Sequence, residues 1–273
     1  MKILLTGATA GIGKETAFAL AQKNNTLILP VRNRTKGEKL QKEILQKNPQ
    51  AQIRLYNCDL ASMQSIKNFT EQIKQDFDAL DVLINNAGLW QSKFETSADG
   101  IEMTWAVNHL APFLLTNLLI DLLKKSPKAR IVNVASDLHQ GEINWQDVEL
   151  KKNFSGLNAY KQSKLANILF TRSLAEKLKS SQITANALMP GFIATDIFRK
   201  MPSFVRWLIP LFAKTPKQGA ETSVYLATSP EVEGISGEYF KDKKRAKSSY
   251  ASKNMESAKK LWELSEKYVK NYL

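Results

Sequence analysis

Short continuously apolar runs alternate along this chain with longer stretches in which apolar residues recur every three or four positions. Lys2–Leu5, Thr26–Val31, Gln52–Asn57, Asp81–Ile84, Arg130–Val134 and Ile183–Leu188 have strand length and strand composition. Between them, helical periodicity covers 12–22, 36–46, 62–76, a long apolar stretch around 110–123 and 157–179. In 62–76, Ile66, Phe69 and Ile73 fall on one face. Strand–helix alternation from the first residue predicts an α/β fold, a doubly wound parallel sheet with helices on both faces. Strands covered on both faces should be continuously apolar, as Ile3-Leu4-Leu5 and Val82-Leu83-Ile84 are. The pattern shows no repeat or linker, and a single domain over 1–273 is the economical reading. After Pro190 the chain changes character, with Phe198, Trp207, Leu208, Leu211 and Phe212 crowded between prolines. A substrate lid over about 192–215, shallow membrane contact and ordinary core packing all fit that stretch.

Composition narrows the setting more than the chemistry. A length of 273 residues can bury a core without disulfides, and the one cysteine, Cys58, has no partner within the chain. The first residues are too briefly apolar for a signal-peptide core, and no run reaches the ~20 apolar residues that span a bilayer. The expectation is a cytoplasmic protein. The net charge of +13 concentrates at Lys241–Lys247, where no aromatics interleave and no nucleic-acid motif appears. A solvated basic face is the simplest reading, with an anionic membrane surface as the alternative and nucleic acid not expected.

Chemistry first shows in Thr6-Gly7-Ala8-Thr9-Ala10-Gly11-Ile12-Gly13, between the first strand and the first helix. Glycines there let backbone N–H groups approach a pyrophosphate at a helix N-terminus, although a plain tight turn would use them too. A carboxylate closing the second strand would bind an adenosine ribose hydroxyl. Here the strand ends Val31-Arg32-Asn33-Arg34, and no acid precedes Glu38. Arg32 and Arg34, with Lys14, could meet a 2′-phosphate or simply be surface cations; the preferred cofactor is NADP(H).

Tyr160 and Lys164 lie four apart on a predicted helix and so share a face. An ammonium beside a phenol should lower the phenol's pKa and make it a usable proton donor and acceptor. Tyr239 and Lys243 repeat the spacing, but in a stretch that reads as a strand. Ser136 follows a strand end, where active groups of a parallel sheet gather.

Thr6-Gly7-x-x-x-Gly11-Ile12-Gly13, Cys58-Asp59-Leu60, Asn85-Asn86-Ala87-Gly88, Asn108, Ser136, Tyr160-x-x-x-Lys164 and Pro190-Gly191 occur in that order. Together they resemble the short-chain dehydrogenase/reductase family over nearly the whole chain. Gly11–Ala17, Val31-Arg32-Asn33 and Ser163–Asn167 look like its retinol-dehydrogenase-like branch. The resemblance implies a Rossmann-type fold and hydride transfer between NADP(H) and the carbonyl or alcohol carbon of a small hydrophobic substrate. It implies that Ser136 holds the substrate oxygen, that Tyr160 moves its proton, and that Lys164 binds the nicotinamide ribose while Asn108 supports a water. Gly7, Thr9, Ala10, Gly11, Ile12, Gly13 and Arg32 would surround the cofactor phosphates. Asp59 and Leu60 would contact adenine, and Asn86, Ala87 and Gly88 would line the adenosine side. Pro190 and Gly191 would border the nicotinamide, with Thr195 at its carboxamide. The 24 positions between Ser136 and Tyr160 exceed the usual family spacing, and 137–158 should shape the substrate entrance. Monomer and homodimer both stay open.

Plainer readings compete at single residues. Asn108 could merely bond to backbone, and Asp59 could cap a helix, although Ser62 is better placed for that. His109 and His139 invite an acid–base or metal role, but no ligand-spaced carboxylate or thiol accompanies them, and no metal is expected. A catalytically silent nucleotide-binding sensor or scaffold is the alternative to an enzyme.

Overall fold

The computed structural model describes residues 1–22, 25–191 and 214–273. Seven parallel strands and one short antiparallel strand form a single sheet in the order β3-β2-β1-β4-β5-β6-β7-β8. The strands are β1 (Lys2–Leu5), β2 (Thr26–Val31), β3 (Gln52–Asn57), β4 (Val82–Asn85), β5 (Arg130–Val134), β6 (Thr184–Met189), β7 (Tyr239–Lys241) and β8 (Lys244–Arg245). The order reverses between β1 and β4, which opens a crevice at the carboxyl edge of the sheet.

Alternate residues of the strands feed two cores. Leu4, Ile28, Leu83 and Ile131 face α3 (Met63–Asp76), α4 (Met103–Trp105), α5 (Ala111–Lys124), α6 (Gly156–Lys177) and the last helix. Ile3, Leu5, Leu27, Val82, Ile84 and Val132 face α1 (Gly11–Ala21), α2 (Arg34–Lys47) and α7 (Pro216–Thr228). The last helix, α8 (Met255–Val269), packs on α6 through Trp262, whose ring lies 4.9 Å from Phe113 and 5.9 Å from Phe170.

Three strand positions depart from the expected apolar runs. Asn85 Nδ2 donates to Asn133 Oδ1 on the adjacent strand (2.8 Å) and to Thr116 Oγ1 (3.2 Å), and Asn133 Nδ2 donates to Thr171 Oγ1 (2.9 Å). Asn186 on β6 donates to Ile235 O and accepts from Glu238 N. These buried amides are paired, so they escape the desolvation cost that would otherwise exclude them.

Two further differences stand out. Met103–Lys124 is helical throughout and, at 22 residues and a mean hydropathy of 1.4 over its best window, is long and apolar enough to cross a membrane. That window is 78% buried inside the fold, so its apolar surface is already covered by protein. The basic 241–247 cluster forms a two-residue hairpin, Asp242 (φ 52°) and Lys243 (φ 62°) both lying in the left-handed region that such a tight turn demands. Its charges are largely paired: Lys241 with Asp137, Lys243 with Glu221, Arg245 with Glu238 and Lys214 with Asp242. The expected lid over about 192–215 lies, apart from Lys214 and Thr215, outside the described residues.

Candidate active site

The glycine turn is set by close packing. Gly7 (φ +68°) and Gly11 (φ +51°) adopt conformations that side chains disfavour. A Cβ on Gly13 would stand 2.1 Å from Gly7 O and 2.6 Å from Asn86 Nδ2, so only glycine lets α1 start this close to β1. Asn86 Nδ2 donates to Thr6 O (2.8 Å), and Thr6 Oγ1 accepts from the backbone N–H groups of Asn86 and Ala87 (3.0 Å each). The turns after β1 and β4 are thus stitched together at the strand-order reversal. Ala10 precedes α1 in extended conformation and offers no side-chain cap, leaving first-turn N–H groups to face the crevice that Thr9, Ala10, Gly11 and Ile12 border.

The three cations expected to greet a 2′-phosphate separate. Lys14 pairs with Glu43 (2.5 Å), and Arg34 pairs with Glu38 (3.0 Å) and donates to Leu55 O (3.0 Å). Arg32, exposed at the carboxyl end of β2, keeps its guanidinium outside every ion pair found among the described residues. Asp59 forms a turn with Ala61 N (3.0 Å), its own N–H donating to Ser65 Oγ, while Ser62 caps α3. Leu60 is half-buried beside it. Asn86, Ala87 and Gly88 follow β4; Pro190 and Gly191 (φ +104°) follow β6. Thr195 lies outside the described residues. These parts fit a dinucleotide: a glycine cradle that any Cβ would fill, backbone donors at a helix start, and a guanidinium with no ion pair among the described residues in place of a ribose-binding acid.

Ser136, Tyr160, Lys164 and Asn108 converge beside this cradle. The Ser136 side chain lies near enough to the Tyr160 phenol to offset part of the effect of its burial, and Ser136 Oγ accepts from Leu138 N (3.1 Å). Lys164 Nζ donates to Val134 O (3.0 Å) at the end of β5 and lies 5.5 Å from the Tyr160 ring centre. A Cβ on Gly88 would meet Lys164 Nζ at 3.3 Å, so the turn after β4 walls the other side. Asn108 sits in a π-helical turn, Ala106–Leu110. It clasps the backbone of Leu89 in both directions (2.8 and 2.9 Å) and donates to Ser163 Oγ (3.0 Å), which donates to Tyr160 O (2.8 Å).

Electrostatics here run opposite to expectation. Burial pushes the Tyr160 phenol up to about 12, only partly offset by Ser136, rather than Lys164 drawing it down. Burial likewise pulls Lys164 down to about 8. Desolvation penalises both charged forms, and at this separation it outweighs their attraction. The histidines have structural partners: His109 Nε2 meets Ser265 Oγ (2.8 Å) and burial pulls it down to about 3, while His139 bonds Ser136 O and Ser249 N.

Sequence pattern places Ser163 and Asn167 in a family motif but gives them no role, and it does not single out Phe94 or Trp90. Asn167 Nδ2 approaches the same Val134 carbonyl as Lys164 (3.4 Å). Phe94 packs edge-on against Phe154 (5.6 Å), and a Cβ on Gly156 would lie 1.9 Å from Gln91 O and 3.2 Å from Trp90. The 89–95 segment therefore rests directly on the start of the helix that carries Tyr160. In the 137–158 stretch, Ile143 and Val148 are core residues, and Gln162 of α6 bonds both Asn144 N and Val148 O (2.7 Å each). Replacing Gly13 with alanine should weaken NADPH binding by at least about tenfold, because the first turn of α1 must retreat from β1; titration of NADPH fluorescence reads this directly.

The short chain dehydrogenase family model matches residues 1–205. Retinol dehydrogenase 14 of Mus musculus is 41% identical, over 98% of this chain and 85% of that protein. Among solved structures, an uncharacterized protein of Mycobacterium paratuberculosis is 30% identical with a TM-score of 0.81, over 98% of this chain and 93% of that one. A short chain dehydrogenase of Shigella flexneri complexed with NADP shares the fold at a TM-score of 0.71 and 24% identity, over 89% of this chain and 97% of that one. The chain belongs to the short-chain dehydrogenase/reductase family, in its retinol-dehydrogenase-like branch.

Proposed function

We propose that this chain is an NADP(H)-dependent oxidoreductase that reduces a hydrophobic aldehyde or ketone, of retinal, steroid or lipid type, to the alcohol. The observation that carries the reading is the convergence of the Ser136 hydroxyl, the buried Tyr160 phenol and the Lys164 ammonium at the carboxyl edge of the sheet. When bound, NADPH supplies hydride to the carbonyl carbon. The protein's own groups handle the oxygen. Ser136 Oγ accepts from Leu138 N, which leaves its hydrogen to donate to the substrate oxygen. Tyr160, with its pKa near 12, stays protonated at neutral pH and is poised to give its proton to the developing alkoxide. Lys164 then stabilises the phenolate left behind, and Asn108 holds Leu89 and, through Ser163, the Tyr160 backbone in register.

Substrate class rests on the rim. Among the described residues, Phe94, Leu138 and Leu157 are large hydrophobic side chains left exposed. All three stand close in sequence to active-site groups: Leu138 two residues after Ser136, Leu157 three before Tyr160, and Phe94 on the segment after β4. Phe94 packs on Phe154, and Trp90 lies against Gly156 at the start of α6, aromatic surface suited to a long or ring-containing tail. The name of the retinol dehydrogenase relatives agrees with that class.

Tyr160→Phe should lower kcat for retinal reduction by about a hundredfold to ten-thousandfold while NADPH still binds; full turnover in that variant would refute the proton role. Because Lys164 acts as an ammonium with its pKa near 8, reduction should fall as pH rises above about 8 and hold below it, read as log kcat against pH. Arg32→Ala should lower the kcat/KM ratio of NADPH to NADH by about tenfold or more, since a charge-assisted phosphate contact is lost.

A further inference from the structure

His139 lies three residues beyond Ser136 and is 1% exposed. Its Nε2 accepts the backbone N–H of Ser249 (2.9 Å), and its Nδ1 lies 2.5 Å from the backbone carbonyl of Ser136. A backbone N–H only donates, so Nε2 must present a lone pair. The proton of the neutral ring therefore sits on Nδ1 and is donated to Ser136 O. Ser249 Oγ adds a contact to His139 O (3.4 Å). The ring packs edge-on against Tyr239 of β7 at 5.1 Å. Tyr239 and Lys241 in turn hold both oxygens of Asp137, at 2.9 and 2.8 Å.

The residue after Ser136 is thus anchored to the sheet, and the carbonyl of Ser136 itself is anchored to the segment after β8. The charged groups facing the ring are Asp137 from its own loop and Arg172 from α6. Lys241 of β7 is committed to Asp137, and Glu238 faces Arg172. Burial is the largest of these influences and lowers the imidazole's pKa.

We propose that His139 is a positioning residue, a tautomer-locked brace that fixes the Ser136 backbone and hence the direction of its hydroxyl toward Tyr160 and the substrate oxygen. The inference rests on the role given to Ser136 above. It assigns the region after β8 a part in the chemistry: the Ser249 N–H selects the ring tautomer that can hold the catalytic loop.

Two amide substitutions separate the two bonds. His139→Asn places an amide nitrogen where Nδ1 stands and keeps the donor to Ser136 O while giving up Ser249. His139→Gln places an amide oxygen where Nε2 stands and keeps the Ser249 link while giving up the donor to Ser136. With retinal as substrate, His139→Gln should lose about tenfold to a hundredfold in kcat, the scale of a misplaced reacting group, while His139→Asn stays within about threefold of the unsubstituted protein. The Kd for NADPH should be unchanged in both, which also reports an intact fold. If His139→Gln does not fold, His139→Ala, which deletes both bonds without added volume, takes its place with the same expected loss. Wild-type kcat in the Gln variant, or equal losses in Gln and Asn, overturns the brace provided Ser136→Ala is inactive. Full turnover in Ser136→Ala would instead overturn the reading of the site itself, and the brace with it.

Discussion

An ammonium buried almost completely from water needs an acceptor, and the site is arranged around that need. Lys164 finds one in the carbonyl that closes β5, a group left over where the strand's ladder ends. To reach it, α6 must cross the sheet at a fixed height. That height puts Tyr160, one turn earlier, beside Ser136, two residues past the same carbonyl. Gly88 approaches the ammonium from the opposite side and is held there by the clasp between Asn108 and Leu89. The widened turn of helix carrying Asn108 is the local adjustment that lets this amide face the site while its neighbour His109 faces α8.

Desolvation, the cost of this arrangement, also shapes the chemistry. A buried phenol that holds its proton tightly is a ready acid for reduction and a reluctant base for oxidation. A lysine whose proton is loosened by the same burial keeps its charge near neutrality with little to spare. The glycine cradle lies across one intervening strand, β4, beyond the point where the sheet's order reverses, so the cradle and the Tyr160 phenol are set by the same framework.

Much of this was legible in the residues. Strand and helix positions followed from periodicity, and Gly7, Gly11 and Gly13 announced a close approach because no other residue type serves one. Ser136, Tyr160 and Lys164 could be grouped by placement at strand and helix ends. Other features depend on contacts that no local pattern encodes. Spacing put an ammonium near a phenol, but only the packed structure shows that burial outweighs their attraction. Lys14 and Arg34 looked equivalent to Arg32 until Glu43 and Glu38 were found beside them. The roles of Ser163, Asn167 and Phe94 arise from neighbours distant in sequence, and the basic 241–247 stretch hid a tight hairpin whose charges are mostly matched by acids elsewhere.

The linked asparagines at the centre of the sheet carry one more consequence. Asn85 and Asn133 stand opposite each other in the β4–β5 register, and each spends its amide on a neighbour. Sliding either strand by a single residue would turn its amide into the apolar layer on the other face, stranding donors and acceptors with nothing to bind. Aliphatic strands alone would tolerate such slippage far better. By making misalignment costly during folding, two polar side chains of no chemical role guarantee that the ends of β4 and β5 finish level, and with them the groups that must meet above the sheet.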